Sequence, residues 1–314
     1  MDISYLLLLQ RLREAMGGAF DSFAVVFSDV GLVVLSVAVP LLVFWCVDKD
    51  AGALSLFSMG IGSAGNQLVK NTACVYRPWL RSDELHPVAA ALAGATGYSF
   101  PSGHTASVAS ALLGLAWRWR KRVLAVALCV VGVLLMGFSR NFLGVHTPQD
   151  VLAGILVGVC AVAVSALVLK WVERGRNRDV VVLAVGLLVI AGLLVYFVNK
   201  PYPLDYLDGK LVVDPAKMIT DCFTNCGIFA GVLCGWFAER RWVGFSVEGS
   251  LIERIVRFVV GAIVVAGVMY GLGGLSVSLL GAWTGKFVLM FCVFFSAVCL
   301  YPLLFHWLHL RFAK

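Results

Sequence analysis

Three short stretches of the sequence hold the side chains able to do chemistry. The first pairs Lys70 with Arg77 and Pro78; the second is Pro101, Ser102, Gly103 and His104; the third holds Ser139, Arg140, His146 and Asp150. Singly, each has an ordinary explanation. A cation at the end of an apolar run snorkels to the interface, Ser-Gly ahead of an apolar run caps a helix, and an acid in the first helical turn complements the dipole. Together they supply three cations, backbone donors at a helix start left open by the small Gly103, two histidines and a carboxylate. Phosphoryl transfer asks a protein for positioning and charge neutralisation, and guanidinium groups match phosphate oxygens two at a time. A carboxylate-oriented histidine can be the nucleophile, and a second histidine can protonate the leaving oxygen. Thr147 reads as an N-cap with Pro148 at the first helical position, which puts Asp150 at the third and within reach of His146. No carboxylate cluster suited to magnesium accompanies these residues, so the three cations are expected to replace a metal, and no cofactor is expected.

The elements that must position these residues are set by composition. Apolar residues make up 61% of the chain and charged residues 14%, with a mean hydropathy of +0.92, outside the range of soluble globular domains. Apolar stretches of roughly 18 residues or more, each long enough to cross a bilayer as a helix, recur from end to end. The expected fold is an all-α polytopic membrane bundle of about nine transmembrane helices, at 23–47, 52–72, 102–117, 123–143, 149–172, 180–198, 218–238, 252–273 and 285–307. Residues 1–22 read as an interfacial amphipathic helix and a break at Gly17 and Gly18, 23–172 as the catalytic membrane core, and 173–314 as a C-terminal helical membrane extension. Asp2 precedes the first apolar run without a basic n-region or a small-residue cleavage site, so these first residues are expected in the mature protein.

The net charge of +7 does not point to nucleic acid, because the basic residues sit in short clusters between apolar runs. Arg118 to Arg122, Arg174 to Arg178, Arg240 and Arg241 with Arg254 and Arg257, and Arg311 with Lys314 all fall on one side of a nine-span arrangement. The positive-inside rule makes that side cytoplasmic. The 73–101, 144–148 and 199–217 loops, and with them the reactive residues, then face outward across a bacterial-type cytoplasmic membrane. The 199–217 loop carries Pro201, Tyr202, Pro203, Asp205, Tyr206, Asp208 and Lys210; it reads as a solvated connector with interfacial tyrosines, or as a cap over a site. Of the nine cysteines, Cys222 and Cys226 lie one helical turn apart, but no neighbouring ligand completes a zinc set, so packing is the expectation.

The motifs also match a known pattern: Lys70…Arg77-Pro78, then Pro101-Ser102-Gly103-His104, then Ser139-Arg140…His146…Asp150. This resembles the type 2 phosphatidic acid phosphatase (PAP2) superfamily, which includes lipid phosphate phosphatases, undecaprenyl diphosphate phosphatases, sphingosine-phosphate phosphatases and glucose-6-phosphatase. The resemblance implies a membrane phosphatase in which His146 attacks phosphorus to form a phosphohistidine, Asp150 orients it and His104 acts as acid for the leaving group. It further implies that Lys70, Arg77, Ser102, Gly103 and Arg140 hold the phosphate. The expected substrate is a lipid phosphate or diphosphate reached from the bilayer. A sugar phosphate is the alternative, favoured by a nine-span layout similar to glucose-6-phosphatase and sphingosine-phosphate phosphatase. A non-catalytic anionic-lipid transporter is a further alternative, disfavoured by the His146 and Asp150 pair. Asp214, Lys217, Asp221, Gly227 and Gly231 in the C-terminal third take no role from sequence; small residues there suggest helix packing.

Overall fold

The computed structural model describes residues 2–207 and 209–312. Asp208 and Lys314, and the side chain of Arg311, lie outside the described residues. The chain is a helical bundle: α1 Asp2–Ala15, α2 Asp21–Cys46, α3 Lys49–Ala73, α4 Gly103–Arg118, α5 Val123–Phe142, α6 Pro148–Glu173, α7 Arg178–Asn199 and α8 Pro215–Val243, followed by α9 (251–280) and α10 (282–308). Among the described residues the only strands are Tyr206–Leu207 and Lys210–Leu211, an antiparallel pair.

Local chemistry sets the helix ends. Asp48 accepts from Ala51 N at 3.0 Å to start α3, which closes at Cys74 in the left-handed region. Thr147 and Asp150 form a reciprocal capping box with Pro148 at the first helical position, and Ser250 and Glu253 form another at the start of α9. Gly281, with φ 76°, ends α9, and α10 folds back along it: a Cβ on Gly261 would meet the Tyr301 ring at 2.6 Å, so residues equidistant from the break touch.

Among the described residues six runs are long and apolar enough to cross a membrane by length and composition, the last being the α9–α10 hairpin taken as one. The nine expected segments are all helical, but α3 and α4 do not qualify by that measure. The reason is position. α3 packs against α4, α6 and α8 in the middle of the bundle, so it can carry Ser55, Ser58, Ser63, Asn66 and Gln67, all buried, without showing them to lipid. α7 meets lipid instead: only 11% of its apolar window is buried inside the protein. A Cβ on Gly227 or Gly231 of α8 would fall 2.4 Å from Phe287 O or 2.7 Å from Phe291 O, so these glycines serve helix packing.

Polar contacts sort the loops into two ends. At one end Arg13 of α1 donates to His86 O and Phe142 O at 2.6 and 3.2 Å, and Lys200 beyond α7 bonds Asn71 O. At the other, Arg241 pairs with Asp179, Lys49 with Glu239, and Arg257 reaches Trp45 O. The 73–101, 144–148 and 199–217 segments therefore share the first end, and the basic segments around Arg118, Arg178 and Arg241 the second.

Candidate active site

At the first end a cavity of about 360 Å³ opens between α3, α4 and α8. Lys70, Arg77, Gly103, His104 and His146 line it. Ser102, Arg140 and Asp150, the other three residues expected at the site, stand behind that lining.

His146 leaves the loop between α5 and α6 and is 2% exposed. Its Nε2 lies 2.9 Å from Arg77 Nη1. A guanidinium only donates, so Nε2 is the accepting nitrogen and the proton is on Nδ1. Nδ1 faces Asp150 Oδ2 at 3.4 Å. The Asp150 oxygen is fixed in turn by Thr147 N at 2.8 Å and by the Ser99 hydroxyl at 2.6 Å. The capping box that starts α6 thus also orients the imidazole: one carboxylate serves both roles. Burial, with Arg77 and Arg140 close by, pushes His146 well below its ordinary pKa, so the ring is neutral and its Nε2 lone pair is free for an electrophile once Arg77 lets go.

Ser102 caps α4, accepting from Thr105 N, and its own N–H donates to Asp150 O at 2.9 Å, which ties the start of α4 to the start of α6. That approach depends on Gly154, whose added Cβ would stand 2.8 Å from Ser102 O. Lys70 donates to three carbonyls, Tyr98 O at 2.8 Å, Ser99 O at 3.3 Å and Pro101 O at 2.8 Å, and so holds the loop ahead of α4. Arg77 similarly donates to Gly97 O and Val145 O. Arg140 donates to Ser28 Oγ at 2.5 Å, while its Nε and Nη2 are buried with no partner. Three buried cations thus gather here, with Asp150 the buried carboxylate beside Lys70 and Arg77, and Asp29 the carboxylate that acts on Arg140. Unpaired buried charge is strongly unfavourable, and an anion at this point relieves it. No group of three or more His, Cys, Asp or Glu that could hold a metal occurs among the described residues.

Residues 51–177 match the model of the PAP2 superfamily, and residues 223–314 match that of the PAP2 superfamily phosphatase transmembrane extension. The undecaprenyl-diphosphatase BcrC of Bacillus subtilis is 31% identical over 143 residues, which cover 44% of this chain and 69% of that protein. The chain belongs to the PAP2 superfamily. Other members align over less. Phosphatidylglycerophosphatase B of Escherichia coli is 42% identical over 72 residues, 22% of this chain and 28% of that protein, and lipid A 4'-phosphatase of Bacteroides thetaiotaomicron is 27% identical over 113 residues, 32% and 50% respectively. The chain therefore spans less than a third of the length of the Escherichia coli relative in that alignment. No solved structure matches. With six runs able to cross a bilayer and a PAP2 transmembrane extension, this superfamily member is an integral membrane protein.

Several residues of this PAP2 site escape a motif reading. Ser99 bonds Asp150, and Asn141 Nδ2 holds the His146 carbonyl at 2.9 Å. Asn141 adjoins Arg140 in sequence, and Ser99 precedes Pro101 by two, so adjacency to a motif was the available signal. The chain beyond the PAP2 match contributes as well: Lys217, Met218, Asp221 and Asn225 of α8 line the cavity, the last of them inside the transmembrane extension. Two points of the 199–214 connector touch this region, where Tyr202 and Val213 pack with Tyr98 and Tyr76 bonds Asp205, while Leu204, Tyr206, Leu207 and Lys210 stay exposed. Cys222 accepts from Asn71 Nδ2, it and Cys226 are buried, and all nine cysteines are unbridged.

Proposed function

We propose that the protein is a membrane phosphatase that hydrolyses a lipid phosphate monoester or diphosphate through a phosphohistidine on His146 Nε2. The observation that carries this reading is His146 held between Arg77 and Asp150, with its unprotonated Nε2 toward a cavity rimmed by buried, anion-seeking cations. The phosphate takes over the Arg77 and Arg140 donors and the N–H groups opening α4, which frees Nε2 to attack phosphorus in line with the leaving oxygen. His104 gives that oxygen its proton. A water then attacks the phosphohistidine, loses its proton to His104 and returns His146 neutral, with inorganic phosphate as product. Asp150 stabilises the Nδ1–H while Nε2 carries phosphorus. Lys70 acts through its charge and by fixing the 98–101 carbonyls.

The cations do the work of a metal in this scheme, and the site faces the outer side of the membrane, opposite the basic loops. A span-level cavity suits a substrate whose tail stays in the bilayer, and the relatives' names refer to lipid phosphates. Purified protein in detergent should release phosphate from a lipid phosphate at the same rate with and without EDTA. Activity lost in EDTA and restored by magnesium overturns the metal-independent scheme, and no release from any phosphate ester overturns the reading.

A further inference from the structure

Two helix faces converge on the cavity beyond the phosphate end. On α3, Ser63, Asn66 and Gln67 share with Lys70 the spacing of a single helical face; on α8, Lys217, Asp221 and Asn225 repeat every four residues. All six line the cavity between the two packed helices. We infer that these faces form a subsite for a hydroxylated leaving group, so that the preferred substrate is the phosphate ester of a polyol head group. This deepens the phosphatase reading and rests on it.

Depth is the first argument. Ser63 and Asn225 each lie ten residues from the helix end at the site, about 15 Å along the axis, half the thickness of a hydrocarbon core. Polar side chains at that depth are costly unless something pairs with them. Asn66 is 2% exposed and its Oδ1 has no partner, while a Cβ on Gly103 would stand 3.6 Å from its Nδ2, which places the amide beside the phosphate cradle. Asn225 spends its Nδ2 on Asp221 O at 2.7 Å, which leaves the amide oxygen for a ligand.

Donor and acceptor balance is the second. Asp221 accepts, Lys217 donates, and the amides and Ser63 do both, which suits hydroxyls that donate and accept at once. An alkyl or prenyl chain would leave Asn66 Oδ1 unanswered. Lys217 and Asp221 pair with each other, so the α8 face carries no net charge and a second phosphate gains no free cation there. His104 and Ser107, one turn apart on α4, line the same space, so a group departing from His104 moves into it.

The test compares kcat/KM for three esters: a lipid carrying phosphate on a glycerol head group, an alkyl phosphate of matched chain length without hydroxyls, and free glycerol 3-phosphate. Wild type should favour the glycerol-headed lipid over the alkyl phosphate by about tenfold or more, the worth of one or two hydrogen bonds. In Asn225→Leu and Asp221→Asn that ratio, measured within each variant and so independent of the folded fraction, should collapse toward one. A wild-type ratio near one, or a ratio unmoved in both variants, overturns the subsite while leaving the phosphatase standing. Free glycerol 3-phosphate turned over as well as the lipid supports the polyol subsite with a soluble source; a much lower value supports it with a lipid source. No phosphate from any of the three takes down both readings.

Discussion

His146 is held by contacts that outlast its removal. Arg77 keeps Gly97 O and Val145 O, and Asp150 keeps Thr147 N and Ser99, so His146→Ala should abolish phosphate release while the protein still purifies as a folded species in detergent. His104→Ala should cost far more with an alkyl phosphate than with a nitrophenyl phosphate, whose leaving group needs no acid; equal losses would remove His104 from that role. The depressed pKa of His146 carries a sign. Falling pH protonates the proposed nucleophile only below that lowered value, so the acid limb of kcat/KM, which reports the free enzyme, should lie below the ordinary histidine value of about 6.5. A limb at or above it would mean the ring is exposed to water before substrate binds. The eight motif residues were legible because spacing along the chain puts them at helix ends on one face. Ser99, Asn66 and Asn225 were not, since a small polar residue is informative only through the partner it meets, and Ser99 meets Asp150 across 51 positions.

At the scale of elements, the junction of α4 and α6 sets the geometry of the candidate site, because it ties Ser102 to Asp150. Gly154 lets Ser102 O approach where a methyl group cannot fit, and the opposing atom is backbone. Gly154→Ala should therefore lower the melting temperature, by an overpacking cost of about 1–3 kcal/mol, and reduce kcat by shifting the start of α4. Gly192→Ala on lipid-facing α7, where nothing lies within 4 Å, serves as the control and should do neither. Helix starts were readable where a cap announces them, at Ser102 and Thr147; Asp48 and Ser250 cap their helices too, but the apolar pattern alone put the first of those starts three residues late. The π-turns at Val34–Ala38 and Glu239–Val243 carry no such signature. Nor does the docking of α1: Gln10 and Arg13 read as the polar face of an interfacial helix, yet both are buried against the 84–86 segment, a pairing set by tertiary structure rather than periodicity.

For the whole molecule, the two ends differ in what they can meet. The basic end holds a cavity of about 740 Å³ lined by Asp50, Arg118, Lys170, Glu173 and Arg240, with no histidine among its lining residues; the other end holds the site. Cysteine introduced as Ser82→Cys, in the loop beside the site, should react with an impermeant maleimide on intact cells beyond the wild-type background; reaction only after lysis would invert the proposed orientation. The gathering of three buried cations has a last consequence, for the end of the cycle rather than its start. In the proposed cycle, inorganic phosphate formed when water cleaves the phosphohistidine would retain the contacts that held the substrate's phosphoryl group, those to the unpartnered Nε and Nη2 of Arg140 included. Product should therefore dissociate slowly and inhibit competitively, and turnover should fall as external phosphate rises, so that phosphate-rich surroundings throttle the reaction without any separate regulatory site.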